Sequence, residues 1–355
     1  MLRNSGAEFG AVLPGYRILN CEFGIRVARP RIHTEPCRCL RSQAGLALAI
    51  FRWHRLSFPN FERATPFEYA SLFIRFSWRR LRLALTVCFA ALFLLGAWAF
   101  WWEPSSLHIV RQTIALHPWH AEHDGLRIAV FSDLHVGSPH RSLANLKEIV
   151  ATTNAAHPDL IVILGDLVIQ DVAGGRFVEP EPIAAEVAKL QVPSGVIAVL
   201  GNHDWWYNGP RVRRALESNH IPVLENQNTR RTFRGKSIWL CGLADLWTRV
   251  IRLKQTLAEI PDGDPVIVLM HNPDLFPEMP ARVSLTLAGH THGGQVNLRI
   301  IGRPIVPSRF GQRYAYGLVE EGGRKLFVTG GIGTSIIPVR FRVPPEVVVL
   351  TLNRE

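Results

Sequence analysis

"LTLAGHTHGGQ", residues 285–295, runs from an aliphatic stretch into two histidines and a pair of glycines. A strand continued through it would send His290 and His292 to opposite faces, because side chains alternate along a strand. The two imidazoles act together only if the strand stops before them. The glycines let the chain turn tightly there.

Four more stretches repeat this grammar. "RIAVF" (127–131) leads to "SDLH", "LIVIL" (160–164) to "GDL", "VIAVL" (196–200) to "GNHD", and "VIVLM" (266–270) to "HNPD". Helix-period segments lie between them. Ser142 to Ala156 carries Leu143, Leu146, Ile149 and Val150 on one face, and Pro210 to Asn219 opens on a proline that a first helical turn accepts. Continuous apolar strands alternating with helices predict a layered α/β domain. Ligands of such sheets gather beyond the carboxyl ends of the strands, which is where all five polar groups fall.

Singly these motifs carry little. A lone Gly-Asp is a turn, and "GNHD" alone reads as a turn with local side-chain hydrogen bonds. Five in order, each after an aliphatic run, point to one site. Its donors are carboxylates, an amide and imidazoles without a thiolate, which suits Mn, Fe or Zn and disfavours a cysteine zinc site.

The series Asp133-Leu134-His135, Gly165-Asp166, Gly201-Asn202-His203-Asp204, His271 and Gly289-His290-Thr291-His292 resembles the calcineurin-like metallophosphoesterase family over residues 125–352. The resemblance implies two mixed β-sheets packed face to face and flanked by helices. It implies one metal held by Asp133, His135, Asp166 and His292. A second would be held by Asp166, Asn202, His271 and His290, with Asp166 bridging the two divalent transition metals. Two cations about 3.5–4 Å apart neutralise a phosphoryl group and acidify a shared water. Asn202 adds an oxygen without adding charge. His203 is expected to protonate the departing alkoxide, with Asp204 orienting its ring.

Composition places the rest of the chain. Residues 1–82 hold fourteen Arg, no Lys and five Glu, a balance of +9, so the other 273 residues carry +2 of the total +11. The basic character belongs to an N-terminal arm, and no specific nucleic-acid partner is expected. Residues 83–102 are uncharged and long enough to cross a hydrocarbon core of about 30 Å. Trp98, Trp101 and Trp102 suit one interface, and Arg79, Arg80 and Arg82 border the other end. A single-pass anchor in a bacterial inner membrane is expected, with the catalytic domain on the extracytoplasmic side. A buried core helix and a signal peptide cleaved at Ala97–Ala99 are the alternatives. Residues 103–124 read as a linker and 125–355 as the catalytic domain.

Other residues take plainer readings. His117, His120 and His123 are expected at the surface, Cys241 in a buried strand, and Arg340 in solvent or on a substrate phosphate. Trp205, Trp206 and Tyr207 pack in the core or line the pocket. The expected function is hydrolysis of a phosphodiester or pyrophosphate bond. The resemblance reaches a membrane-associated branch that includes enzymes cleaving UDP-2,3-diacylglucosamine in lipid A synthesis. That substrate is made on the cytoplasmic side, against the arginine bias. A general phosphodiesterase or phospholipid headgroup hydrolase is the alternative. A non-catalytic scaffold is disfavoured because no ligand of the pattern is missing.

Overall fold

The structure, a computed structural model, describes residues 66–355, with side chains from residue 77. The basic arm up to residue 65, including Cys21, Cys37 and Cys39, lies outside the described residues. Helix α1 (Pro66–Ala97) continues through a π-helical turn, Trp98–Trp102, into a last turn, Glu103–Ser105. Ser77–Ser105 forms a 29-residue segment of mean hydropathy 2.3 whose best window is only 6% buried. That exposure is not that of a core helix.

Two mixed sheets follow. The first has strand order β1-β11-β2-β3-β4, with β1 at His108–Leu116, β2 at Leu126–Phe131, β3 at Leu160–Leu164, β4 at Val196–Val199 and β11 at Glu346–Arg354. The second has order β5-β6-β7-β8-β10-β9: β5 Gln227–Phe233, β6 Lys236–Gly242, β7 Val266–Leu269, β8 Leu285–Ala288, β9 Gly317–Glu321 and β10 Arg324–Val328. Helices α2 (Leu143–Ala155), α3 (Pro180–Val187) and α4 (Asn202–Glu217) follow β2, β3 and β4, and the short α5 (Leu253–Leu257) precedes β7.

The period-2 alternation of each strand sorts its side chains between layers. Ile128 and Val130 of β2 join Val162, Ile267, Leu285 and Phe327 between the two sheets. Ala129 and Phe131 face the other way, onto Leu146, Ile183 and Leu216 of the helices. Strands buried on both faces read as unbroken aliphatic runs, which is why these segments stood out.

Helix α2 begins where expected, with Ser142 as N-cap accepting from the Asn145 backbone N–H. The helix expected from Pro210 is the second half of α4, which is broken at Asn208 (φ −170°, ψ 80°). The expected linker at 103–124 is corrected. It contains β1, paired in parallel with β11 from His108↔Glu346 to Leu116↔Arg354. As an edge strand it buries mainly Ile114 and Leu116, and Arg111 and Gln112 interrupt the apolar run that would have marked it.

Candidate metal centre

Within each sheet the motif-bearing strands are parallel, β2 with β3 and β4, and β7 with β8. Their carboxyl ends therefore lie at one edge of each sheet, and the face-to-face packing brings the two edges together. Among the described residues Asp133, His135 and His292 form one group of donors with ligand atoms within 4.8 Å of one another, and Asp166, His271 and His290 form another. A third, His135, Asp166 and His203, connects them.

The atoms face each other in a way that asks for cations. His135 Nε2 lies 3.2 Å from His292 Nε2. His292 Nε2 lies 3.4 Å from Asp133 Oδ1, which has no hydrogen-bond partner. Burial pushes the imidazoles of His135, His290 and His292 down to about 3, so they are neutral with lone pairs available. His271 Nδ1 donates to the Leu164 carbonyl at 2.7 Å, which turns its Nε2 toward the site. That nitrogen meets Asp166 Oδ2 at 3.1 Å, Asn202 Oδ1 at 3.2 Å and His290 Nδ1 at 3.2 Å. One proton on Nε2 cannot satisfy three acceptors. Without a metal the burial of His271 would lower its pKa, yet the Asp166 carboxylate outweighs this and lifts it to about 10. Burial would raise Asp166 in turn, but the His271 charge holds it well below the usual carboxylate range. The donor set fits two divalent cations.

Asp166 presents Oδ2 to both groups, at 3.6 Å from His135 Nε2 and 3.1 Å from His271 Nε2. Its Oδ1 accepts the His203 backbone N–H at 2.9 Å. Backbone conformation also singles the site out. Asp133, His135, Asp166, His290 and His292 all have positive φ, between 39° and 69°. Such residues persist only where surroundings over-determine them, and they cluster at functional sites. The motif glycines have a different task. A Cβ on Gly201 would stand 2.2 Å from Asp166 Oδ1, and one on Gly289 would stand 1.8 Å from Ser132 Oγ.

The model of the calcineurin-like phosphoesterase domain matches residues 126–294. The metallophosphoesterase YkuE of Bacillus subtilis is 31% identical over 249 residues, covering 69% of this chain and 84% of that protein. The phosphodiesterase YaeI of Escherichia coli is 30% identical over 255 residues, covering 70% of this chain and 90% of that protein. The chain belongs to the calcineurin-like phosphoesterase family. It is a hydrolase of phosphoester bonds. A Danio rerio transmembrane protein with a metallophosphoesterase domain is 29% identical over 253 residues, covering 65% of this chain and 54% of that protein.

Around this phosphoesterase centre three expectations are corrected. Asp204 does not orient His203. It is fully buried, and its carboxylate accepts backbone N–H groups of Asp166 (2.8 Å), Leu167 (2.9 Å), Val168 (3.4 Å) and Gly201 (3.0 Å). It thus fixes the Gly165-Asp166 loop against the start of α4, while His203 Nδ1 has no partner. Arg340 is neither solvated nor on the phosphate position. It is 0% exposed, and its guanidinium donates to the carbonyls of Gly330, Gly333 and Val343. His123 is buried rather than at the surface, with its ring near Trp119 and Nε2 3.2 Å from the Lys236 carbonyl. Cys241 is buried in β6 as expected.

Of the three aromatics after the GNHD motif, Trp205 packs against the helix-side core beneath the Arg249 guanidinium. Tyr207 joins it at that core and donates to Glu179. Trp206 is half exposed, 4.9 Å from the His203 ring and 6.1 Å from Trp247, which stands edge-on to His290 at 4.3 Å. Sequence reasoning missed Trp247. Its signal was faint: Asp245 two residues earlier accepts the Trp247 and Thr248 backbone N–H groups and shapes the loop.

Proposed function

We propose that the protein is a membrane-anchored, two-metal phosphodiesterase or pyrophosphatase. The observation that carries this is the convergence of seven expected donors at one double sheet edge, their ligand atoms facing each other with too few protons to satisfy them. When bound, two divalent cations supply charge neutralisation for the phosphoryl oxygens and lower the pKa of a water. Asp133, His135, Asp166 and His292 would hold one, and Asp166, Asn202, His271 and His290 the other, with Asp166 common to both.

The chain's own residues do the rest. The His203 backbone N–H orients Asp166, and its ring, unpartnered at Nδ1 and at the mouth of the site, holds the proton for the departing oxygen. Trp206 and Trp247 present apolar faces beside it to the leaving group. The helix α4 N-terminus carries Asn202 and His203, so its dipole favours the anionic ester.

The apolar segment Ser77–Ser105 supports a single inner-membrane span, and the arginine bias favours an extracytoplasmic domain. A phospholipid headgroup diester fits that side. UDP-2,3-diacylglucosamine would require the domain on the cytoplasmic side. Manganese is the proposed metal, from the oxygen and imidazole donors. The test is hydrolysis by the purified, Mn²⁺-loaded full chain of bis-p-nitrophenyl phosphate, a phospholipid and UDP-2,3-diacylglucosamine. Activity that survives complete removal of metal by a chelator would overturn the reading.

A further inference from the structure

The end of the apolar segment is not tethered to the catalytic domain by a flexible chain. Glu103 N–H donates to the Trp98 carbonyl, so the next π-type bond to Ala99 would fall to Pro104, which has no N–H. The freed Ala99 carbonyl instead accepts the Arg340 backbone N–H at 2.9 Å. Glu103, itself buried, accepts from Val343 N–H and Trp98 Nε1, and Arg141 Nη2 donates to the carbonyls of Pro104 and Ser106. His140 Nε2 meets the Phe100 carbonyl at 3.2 Å.

Beside this joint stands a hairpin that the phosphoesterase chemistry does not use. Leu298 and Gly302 exchange backbone hydrogen bonds at 2.6 Å in both directions, leaving Arg299, Ile300 and Ile301 at the tip. Gln312 pins its base, accepting from Arg303 N–H at 2.9 Å. Water-facing tight turns favour Gly, Asn and Asp. Here Ile300 is 97% exposed, Ile301 62% and Ile305 78%. A second apolar pair, Ile336 at 70% and Ile337 at 49%, lies on the segment bonded to the hairpin's base, where Gln295 Nε2 donates to the Ser335 carbonyl and the Asn297 N–H to Phe341. Phe341 directly follows Arg340, whose N–H makes the joint with Ala99. Residues 296–316 contain four arginines and no acid, against a balance of +2 for residues 83–355. Exposed apolar tips flanked by arginine suit an anionic lipid interface.

We infer that the 298–305 hairpin, with Ile336 and Ile337, is a second membrane contact that enters the same leaflet the helix leaves. This rests on the span proposed above. The occupant is the phospholipid surface, because the hairpin is bonded to Phe341, next to the Arg340 that holds Ala99 in the turn carrying the exposed Trp101 and Trp102. The contact seats the active site at headgroup level. Gly294, two residues after His292, lies close beneath the hairpin: a Cβ there would stand 3.0 Å from Arg303 Cβ and from the Ile305 carbonyl oxygen. A phosphoester carried on a lipid thus reaches the mouth without leaving the headgroup layer.

The test uses the full chain in nanodiscs of phosphatidylcholine and phosphatidylglycerol, with p-benzoyl-phenylalanine replacing Ile300 or Ile305. Controls replace Phe89 in the span and the fully exposed Asp262, which precedes β7 at the opposite edge. After irradiation, mass spectrometry should find lipid adducts at positions 89, 300 and 305, at least tenfold above position 262. Adducts at 89 with 300 and 305 no higher than 262 would overturn the second contact while leaving the span intact. No adduct at 89 would overturn the span, and the second contact with it. Hydrolysis of bis-p-nitrophenyl phosphate by the parent chain reads the phosphoesterase chemistry separately.

Discussion

Replacing Asp204 by Asn separates a structural carboxylate from a catalytic one. Oδ2 accepts the N–H groups of Asp166 at 2.8 Å and Gly201 at 3.0 Å, and Oδ1 those of Leu167 at 2.9 Å and Val168 at 3.4 Å. An amide keeps one oxygen and turns an NH₂ toward the other pair of donors, whichever way it lies. The site is fully buried, so water cannot take over. Charge-assisted bonds contribute about 1.5–3 kcal/mol each, so two lost bonds cost about 3–6 kcal/mol. At about 2–4 °C per kcal/mol for a domain of this size, the melting temperature falls by about 6–24 °C. Calorimetry on the detergent-solubilised full chain, metal-free in chelator, makes the comparison without metal stabilisation. A melting temperature within about 2 °C of the parent, together with a collapse in kcat and full metal content, would refute this reasoning. It would restore Asp204 as the partner of His203.

Asp166→Asn is expected to lower metal content and turnover together, read by elemental analysis beside kinetics. Turnover lost with both metals retained would remove its shared-ligand role. Gly201→Ala should act on the same carboxylate through space, since its Cβ would sit 2.2 Å from Asp166 Oδ1; unchanged metal affinity would mean the loop yields freely. His203→Gln should keep its metals and lose about 10²–10⁴ in rate on an alkyl diester, but far less on a p-nitrophenyl ester, whose leaving group needs no proton. Equal losses on both would assign His203 to phosphoryl charge instead. Protease added to intact spheroplasts should degrade the catalytic domain. Full protection until the membrane is opened would reverse the orientation and favour the UDP-sugar lipid.

The sequence by itself determined the strands that build the site and the residues at their ends. A strand buried on both faces must be aliphatic throughout, so β2, β3, β4, β7 and β8 announced themselves, and the polar residue after each marked a carboxyl end. The start of α2 at Ser142 was legible for a similar reason, because its apolar periodicity depends on neighbours in the chain. What depends on distant partners was not legible. Nothing local says that β2–β4 and β7–β8 belong to different sheets, or that the sheets face each other so that His292 reaches His135. Edge strand β1 buries only part of one face, so no apolar run betrayed it. Asp204 looked like a partner for the adjacent His203, yet four backbone N–H groups, three of them almost forty residues away, claim it. Arg340 was expected in solvent or on a substrate phosphate and Glu103 only opened the expected linker, and only the tertiary structure gave them buried carbonyl and N–H partners. Side-chain chemistry was written in the chain, but a polar group's role was fixed by which unsatisfied group folding brought within hydrogen-bond reach.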